Sequence, residues 1–347
     1  MDVLSATRTE VAGATRAEGS VSIVVPVFNE EAVLPEFHRR LSAALDGLRV
    51  PAEIIYVNDG SDDATISLLV TLHETDPRVA VVDLSRNFGK EVAMSAGLDH
   101  STGDAVVVID ADLQDPPELI PDMFRAWREG HDVVLMRRRT RADESWVKKA
   151  TARAFYRAMG SIGTIDIPEN VGDFRLLSRR AVKALRRFPE RSRFMKGLFA
   201  WIGYPCREID YDRDGRYAGE TKWNYWRLWN FALEGITSFS VVPLKVASYI
   251  GMATALVAFA YGGYVVAKTL LHGDPVPGYP TLVTLVLFLG GLQLMALGII
   301  GEYLARMFIE VKQRPLYLVQ RRLPSSRPLV ASPATADEEL PERWPQP

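Results

Sequence analysis

The chain has 347 residues, a single cysteine, and 41 Lys and Arg against 43 Asp and Glu, for a formal net charge of −2. Near neutrality excludes a global basic field for nucleic acid, and a lone Cys206 excludes an intrachain disulfide or a multi-cysteine metal site. The first two thirds are charged and the stretch from about Val246 is apolar, so the expected division is a soluble part followed by a membrane part.

Residues 1–20 are small, polar and charged, without the apolar core of a secretory signal, and are expected to be a disordered leader. Val21–Val27 is a run of β-branched residues that predicts a buried strand, and Phe28-Asn29-Glu30-Glu31 opens a helix reaching about Leu48. Glu53–Asn58 repeats the strand pattern, Asp59-Gly60-Ser61-Asp62-Asp63 is a turn ending in a helix cap, and Ala80–Leu84 is a third strand. A fourth, Ala105–Ile109, leads into Asp110-Ala111-Asp112-Leu113-Gln114-Asp115. Strands alternating with helices imply an α/β fold, a mostly parallel sheet with helices on both faces. Ligands bind such sheets at the carboxyl ends of the strands, where Asn29, Asp59 and Asp110 all fall, so three polar loops should face one crevice.

The acidic stretch has two readings. If the chain stays extended, Asp110 and Asp112 point the same way and their oxygens converge on a divalent cation that also holds a diphosphate. Otherwise it is an acidic loop capping the helix that Pro116-Pro117-Glu118 starts. A fifth strand, Asp132–Met136, runs into Arg137-Arg138-Arg139-Thr140-Arg141, either a solvated surface or a contact for phosphate. Trp146–Met159 mixes Lys148, Lys149, Arg153 and Arg157 with aromatics, as a surface helix or one near anionic lipid would. Asp173, in Gly172-Asp173-Phe174-Arg175, orients an acceptor or pairs with Arg175 or Arg179. Arg213, Arg216, Gly219, Glu220 and Lys222 form either a cationic loop that closes over phosphate or an exposed hairpin.

Residues 223–244 place Trp223, Tyr225, Trp226 and Trp229 beside polar neighbours, the pattern of an amphipathic interfacial segment. Residues 245–306 then hold two apolar stretches, about 246–271 and 281–304, each long enough as a helix to cross a hydrocarbon core of roughly 30 Å. The connector His272–Pro280 breaks helices and carries no Lys or Arg, whereas Lys245, Arg306, Lys312 and Arg314 flank the other ends. The positive-inside rule therefore puts both termini of this transmembrane hairpin in the cytoplasm of a multi-pass cell-membrane protein, with Lys268 snorkelling at the outer end. Residues 307–347 are expected to be a cytoplasmic tail, disordered from about 324.

Taken together, Val25-Pro26-Val27-Phe28-Asn29-Glu30-Glu31, Val57-Asn58-Asp59-Gly60-Ser61, Leu84-Ser85-Arg86-Asn87-Phe88-Gly89-Lys90, the 110–116 stretch, Gly172–Arg175, Ala218-Gly219-Glu220-Thr221-Lys222 and Gly301-Glu302-Tyr303 through Arg314-Pro315-Leu316-Tyr317 resemble glycosyltransferase family 2. The likeness is to its polyprenyl-phosphate glycosyltransferases with two membrane helices and runs from about Val21 to Val319. It implies a GT-A nucleotide-sugar-binding domain over 21–222. It implies that Pro26, Phe28, Glu30 and Asp59 bind the nucleoside, that Ala111 lies in the nucleotide-sugar site, that Asp110, Asp112 and Gln114 surround Mg2+ or Mn2+ and the diphosphate, and that Arg137, Arg216 and Lys222 contact phosphates of donor or acceptor. Among these, Asp112, Asp173, Arg216 and Lys222 would carry catalysis. Phe28 stands where many relatives have tyrosine, and Met136 where glycine often precedes the arginines, which leaves Arg137 and Arg138 as competing assignments.

The implied reaction is inverting transfer of a sugar from a UDP- or GDP-linked donor to a polyprenyl phosphate. The implied partners are membrane lipids, further copies of the chain, and a downstream flippase or lipid-sugar-dependent transferase. Gly290, Gly291 and Gly298 offer small residues for helix packing in an oligomer. The rivals are a processive polysaccharide synthase, whose usual Gln-x-x-Arg-Trp motif and extra membrane helices are missing, and a catalytically silent scaffold, against which the intact Asp110, Asp112 and Lys222 argue.

Overall fold

The computed structural model describes residues 19–139, 171–188, 190–191, 193, 195–212, 242–272, 278–327 and 329. Contacts divide the chain into two compact units, one holding residues 1–156, 166–224 and 315–347, the other 157–165 and 225–314.

In the first unit, β1 (Val21–Val27), β2 (Ala52–Asn58), β3 (Val79–Leu84) and β4 (Ala105–Val108) pair in parallel in the order β4-β1-β2-β3. These strands are almost wholly buried because helices cover both faces, which is why they read as apolar runs rather than alternations. The connecting helices are α1 (Leu34–Leu48), α2 (Thr65–Thr75) and α3 (Lys90–His100). Helix α1 buries Leu34, Phe37, Leu41 and Leu45, the i, i+3, i+4 face of an amphipathic helix. It begins at Leu34 rather than directly after the strand, because Asn29 takes a left-handed φ of 55° and the chain turns there first.

Beyond the 3-10 turn Pro117–Leu119 come α4 (Ile120–Arg128), β5 (Val133–Arg138), β6 (Val171–Ser178), α5 (Arg179–Arg186), α6 (Met195–Trp201) and β7 (Cys206–Tyr211). The described sheet has eight strands in the order β7-β5-β6-β4-β1-β2-β3-β8, where β8 is Val319–Leu323. The expected mostly parallel sheet is therefore corrected to a mixed one. Strand β6 enters antiparallel between β4 and β5, and β8 adds antiparallel to the free edge of β3, so three of the seven neighbouring pairs are antiparallel. The α/β architecture with helices on both faces is as expected.

The amino ends of β1 and β4 are tied by buried polar groups. Glu53 Oε1 accepts from Ser22 Oγ at 2.5 Å, from the Thr102 amide at 2.7 Å and from Thr102 Oγ1 at 2.9 Å, while Asp104 Oδ2 accepts from the Ser20 amide and hydroxyl. Partners of this kind make a buried carboxylate tolerable, and they leave the opposite, carboxyl end of the sheet free for the site.

In the second unit, α7 (Val242–His272) and α8 (Tyr279–Val311) pack against one another. At about 1.5 Å per residue they are roughly 46 and 50 Å long. Large apolar side chains on both stand exposed, among them Tyr249, Leu256, Leu271, Leu294 and Leu297. Among the described residues one stretch, Phe288–Val311, is long and apolar enough to cross a membrane by length and composition, somewhat later than the expected 281–304. Glu302 and Arg306 pair across one helical turn at 2.9 Å. Of the expected interfacial segment 223–244, residues 223–241 lie outside the described residues and 242–244 begin α7; the basic segment at 146–159, and Arg216 and Lys222, also lie outside them.

Helix α3 lies hard against the sheet at Gly97, where a β-carbon would run into the Val24 side chain and come within 3.1 Å of Val57 Cγ2. Gly97→Val should overpack this contact and destabilise the protein by about 2 kcal/mol. A lowered thermal unfolding midpoint checks this; an unchanged one refutes it.

Candidate active site

Strand β4 ends at Val108, and the next residues turn rather than continue as a strand. Leu113 takes a left-handed φ of 59°. Even so the burial alternates: Ala111, Leu113 and Asp115 are buried, whereas Asp110, Asp112 and Gln114 are partly exposed. The inward set anchors the turn. Asp115 accepts a short hydrogen bond from Tyr211 Oη, and Leu113 and Ala111 join the main core.

The antiparallel register pairs Val108 with Arg175, and continuing it two residues sets Asp110 opposite Asp173. Between them comes Lys90, the first residue of α3, whose Nζ donates to Asp110 Oδ2 at 2.7 Å and to Asp173 Oδ2 at 2.6 Å. The three side chains are 44%, 22% and 13% exposed in the order Lys90, Asp110, Asp173. Burial works against the Lys90 charge, yet the two carboxylates outweigh it and hold the ammonium above its ordinary range. Burial would push Asp173 up, but Lys90, Lys196 and Arg175 outweigh it and keep this carboxyl well below its usual value. Asp110 goes the other way: burial raises it, with the Asp173 and Asp112 charges adding to the rise against the pull of Lys90. Asp173 Oδ1 is buried without a hydrogen-bond partner. Glu91 beside it is raised to about 7, by burial first and then by the Asp173 charge. Neither Lys90 nor Glu91 is assigned a role by sequence reasoning. Lys90 lies inside the 84–90 motif, but its meaning depends on the β4–β6 register.

Asp112 Oδ1 accepts the Gln114 amide at 3.1 Å. Among the described residues no group of three or more His, Cys, Asp or Glu side chains is placed to hold a metal. Two carboxylates do, however, suit a hard divalent ion that takes its remaining ligands from substrate phosphates and water. Asp110 and Asp112 fit such an ion on that ground.

Asp59, at the end of β2, is 3% exposed and turns its carboxylate to the backbone: Oδ1 accepts the Phe88 amide at 2.7 Å and Oδ2 the Gly89 amide at 2.9 Å. Burial raises its pKa, partly offset by these two N–H groups. The loop leading to Lys90 is thereby pinned, with Gly89 at a φ of 98°. Gly60, at a φ of 67°, lets the two loops close up; a β-carbon there would lie 2.5 Å from Arg86 and Asn87 backbone atoms.

A cleft of about 830 Å3 opens beside this loop, lined by Phe28, Gly60, Asp62, Asp83, Arg86 and Arg321 among others. Phe28 is thus placed in the cleft, whereas Pro26 lies within β1 opposite Val57. The Glu30 amide donates to Thr65 Oγ1 at 2.9 Å, lacing the turn after β1 to α2.

Alternation along β5 separates the two competing arginines. Arg137 pairs with Glu208 at 2.8 Å and Asp210 at 2.6 Å on the neighbouring strand β7. Arg138 reaches instead towards Tyr211 Oη at 3.3 Å and Asp115 at 3.9 Å, under the acidic turn. Arg175 is buried, donates to the Gly172 carbonyl at 2.6 Å and stacks over Phe199 at 3.9 Å, which fixes the start of β6 behind Asp173.

The carboxyl edge of the sheet thus gathers a cation, several carboxylates and an open cleft. The profile described as Glycosyl transferase family 2 matches residues 22–186, and one described as GtrB C-terminal hairpin matches 242–307. The chain is 53% identical to an uncharacterized glycosyltransferase of Synechocystis sp., over 86% of this chain and 94% of that one. It is 48% identical to the SfII prophage-derived bactoprenol glucosyl transferase of Shigella flexneri, over 87% of this chain and 97% of that one. A prophage bactoprenol glucosyl transferase homolog of Escherichia coli is 47% identical over 87% and 98%. The chain belongs to glycosyltransferase family 2 and is a glycosyltransferase.

Lys90→Ala should leave Asp110 and Asp173 facing one another without their shared cation, and lower kcat/KM for transfer by on the order of 100-fold. Arg137→Ala, which breaks only an exposed cluster, should stay within about twofold of wild type, whereas Arg138→Ala should lose about tenfold or more. Steady-state transfer rates separate these outcomes, and equal effects at the two arginines would count against the geometry.

Proposed function

We propose that the protein transfers a sugar from a nucleotide-sugar donor to a polyprenyl phosphate at the cytoplasmic face of the cell membrane, with inversion at the anomeric carbon. The observation that carries this reading is the extent of the likeness to bactoprenol glucosyl transferases, which runs through the catalytic part and on through the hairpin.

The donor's diphosphate lies at the acidic turn, against Asp112 and the Arg138 side, and its nucleoside extends along the carboxyl edge towards Phe28 and Arg86. Asp59 serves this site by holding the 88–90 loop. Arg216 and Lys222 supply cations to the leaving diphosphate, Ala111 lies beside it, and Pro26 and Glu30 border the nucleoside, while Arg137 stays with Glu208 and Asp210 on β7. A divalent cation, Mg2+ or Mn2+, held by Asp110 and Asp112 beside Gln114, neutralises diphosphate charge when bound. An oxygen of the lipid phosphate attacks the anomeric carbon from the face opposite the departing nucleoside diphosphate. A phosphate monoester has its second pKa near 6, about one unit below neutrality, so the nucleophile is already largely ionised and needs no strong general base. Asp173, kept ionised by Lys90, then orients the acceptor by its charge rather than removing a proton.

A lipid acceptor calls for a membrane-bound enzyme, and the apolar unit supplies the anchor. Exposed apolar side chains along α7 and α8 require a nonaqueous surrounding, and helices of roughly 46 and 50 Å exceed a hydrocarbon core of roughly 30 Å. The basic residues at 245, 306, 312 and 314, set against a connector without any, favour cytoplasmic termini. A flippase or a lipid-sugar-dependent transferase is the partner that such a product requires.

Incubating membranes that contain the protein with a panel of nucleotide sugars and undecaprenyl phosphate, and identifying lipid products by mass spectrometry, tests this reading. One sugar-phosphate lipid should appear with a divalent cation present and vanish with chelator. Asp112→Ala should abolish it while the protein remains folded and in the membrane; near-normal transfer by that variant would sink the metal-site assignment. Absence of any sugar lipid across the panel would overturn the function.

A further inference from the structure

The strand β8 follows the apolar helices in sequence, yet it belongs to the catalytic unit. It pairs antiparallel with β3, Asp83 opposite Arg321 and Leu84 opposite Val319, with the register shifting between them. Its approach is fixed by three contacts: the Ser85 amide donates to the Leu318 carbonyl at 2.9 Å, Tyr317 Oη donates to Asp99 Oδ2 at 3.0 Å, and the Tyr317 ring lies 6.3 Å from that of His100. Residues 320 and 321 are therefore held on a rigid edge, and both line the 830 Å3 cleft.

We propose that Arg321, with Gln320 beside it, recognises the base of the donor nucleotide, and that the base is one carrying a ring carbonyl, as uracil and guanine do. This rests on the donor reading above. Three strand steps separate β4, where the acidic turn sits, from β3, and at about 4.8 Å per step this is roughly 14 Å. That separation suits a nucleoside diphosphate laid along the edge with its phosphates at β4, which brings its base into the cleft beside β3 and β8.

Of the two arginines lining the cleft, Arg321 is the more loosely engaged. Arg86 stacks on the Phe88 ring at 4.0 Å and donates to the Asn87 carbonyl at 2.8 Å. Asp83 spends Oδ1 on the Asn58 amide group at 2.8 Å. Arg321 approaches Asp83 Oδ2 only to 3.7 Å and is 47% exposed, a loose pair of the kind that holds a side chain in place without saturating it. A guanidinium presents five N–H donors in a fixed fork and accepts nothing. It therefore matches a ring carbonyl and leaves the amino group that adenine shows at the equivalent edge unpaired, so selectivity is built in by chemistry rather than size.

The test is isothermal titration of the full-length, detergent-solubilised protein with UDP, GDP and ribose 5-diphosphate, each with Mn2+. Arg321→Ala should weaken the preferred nucleoside diphosphate by about tenfold, equivalent to about 1.4 kcal/mol. Binding of ribose 5-diphosphate, which has no base, should be unchanged. Arg321→Lys should recover part of the loss, and Gln320→Ala, which removes no ion pair, should show a smaller loss confined to the same ligands. In turnover, Arg321→Ala should raise the KM for nucleotide sugar and leave kcat within about twofold. Equal weakening of nucleotide and ribose 5-diphosphate, or no weakening at all, overturns the assignment. If the wild-type protein binds neither UDP nor GDP with Mn2+, the donor-site reading itself falls and takes this assignment with it.

Discussion

The ammonium of Lys90 between Asp110 and Asp173 brings three separate elements to one point: the start of α3, the end of β4 and the start of β6. Two partly buried carboxylates at this spacing repel, and one of them would take up a proton unless a cation intervened. Much of the surrounding construction serves that cation. Asp59 grips the two amides before it, Gly89 supplies the left-handed turn, and Arg175 braces the start of β6 from behind. Removing the cation would disturb the sheet's register as well as its charge.

That arrangement divides what the sequence discloses from what it hides. The strands β1 to β4 are legible because each is a β-branched apolar run followed by a polar turn, and a strand covered on both faces has no other way to be written. The placing of Asn29, Asp59 and Asp110 at carboxyl ends follows directly from it. Strands β6 and β8 are not legible: Val-Gly-Asp-Phe-Arg and Val-Gln-Arg-Arg-Leu carry polar residues through their length, and only partners distant in the chain make them strands. With β6 hidden, the meeting of Asp173, Lys90 and Asp110 is hidden too, although all three residues stand in motifs the sequence singles out. Arg137 and Arg138 illustrate the same limit, since adjacent residues on a strand face opposite ways and the sequence does not say which way is inward.

At the acidic turn the alternation expected of an extended strand arises by another route. The chain leaves the strand after Val108, so strict extension does not apply. Alternate burial is recovered through Leu113 in the left-handed region, a costly conformation for a leucine that packing into the main core holds in place. The apolar unit was legible from composition alone, because long runs of exposed Leu, Val and Ile admit few surroundings.

The spread of the site along the sheet edge has an evolutionary corollary. The acidic turn after β4 and the cleft beside β3 lie three strand steps apart, roughly 14 Å at about 4.8 Å per step, and the 86–90 loop joins them. Substitutions in the edge strand β8, which carries none of the contacts among Lys90, Asp110 and Asp173, leave that charged cluster as it is, whereas substitutions in the loop reach both ends. On the donor reading proposed above, a lineage would vary the cleft more freely through β8 than through the loop.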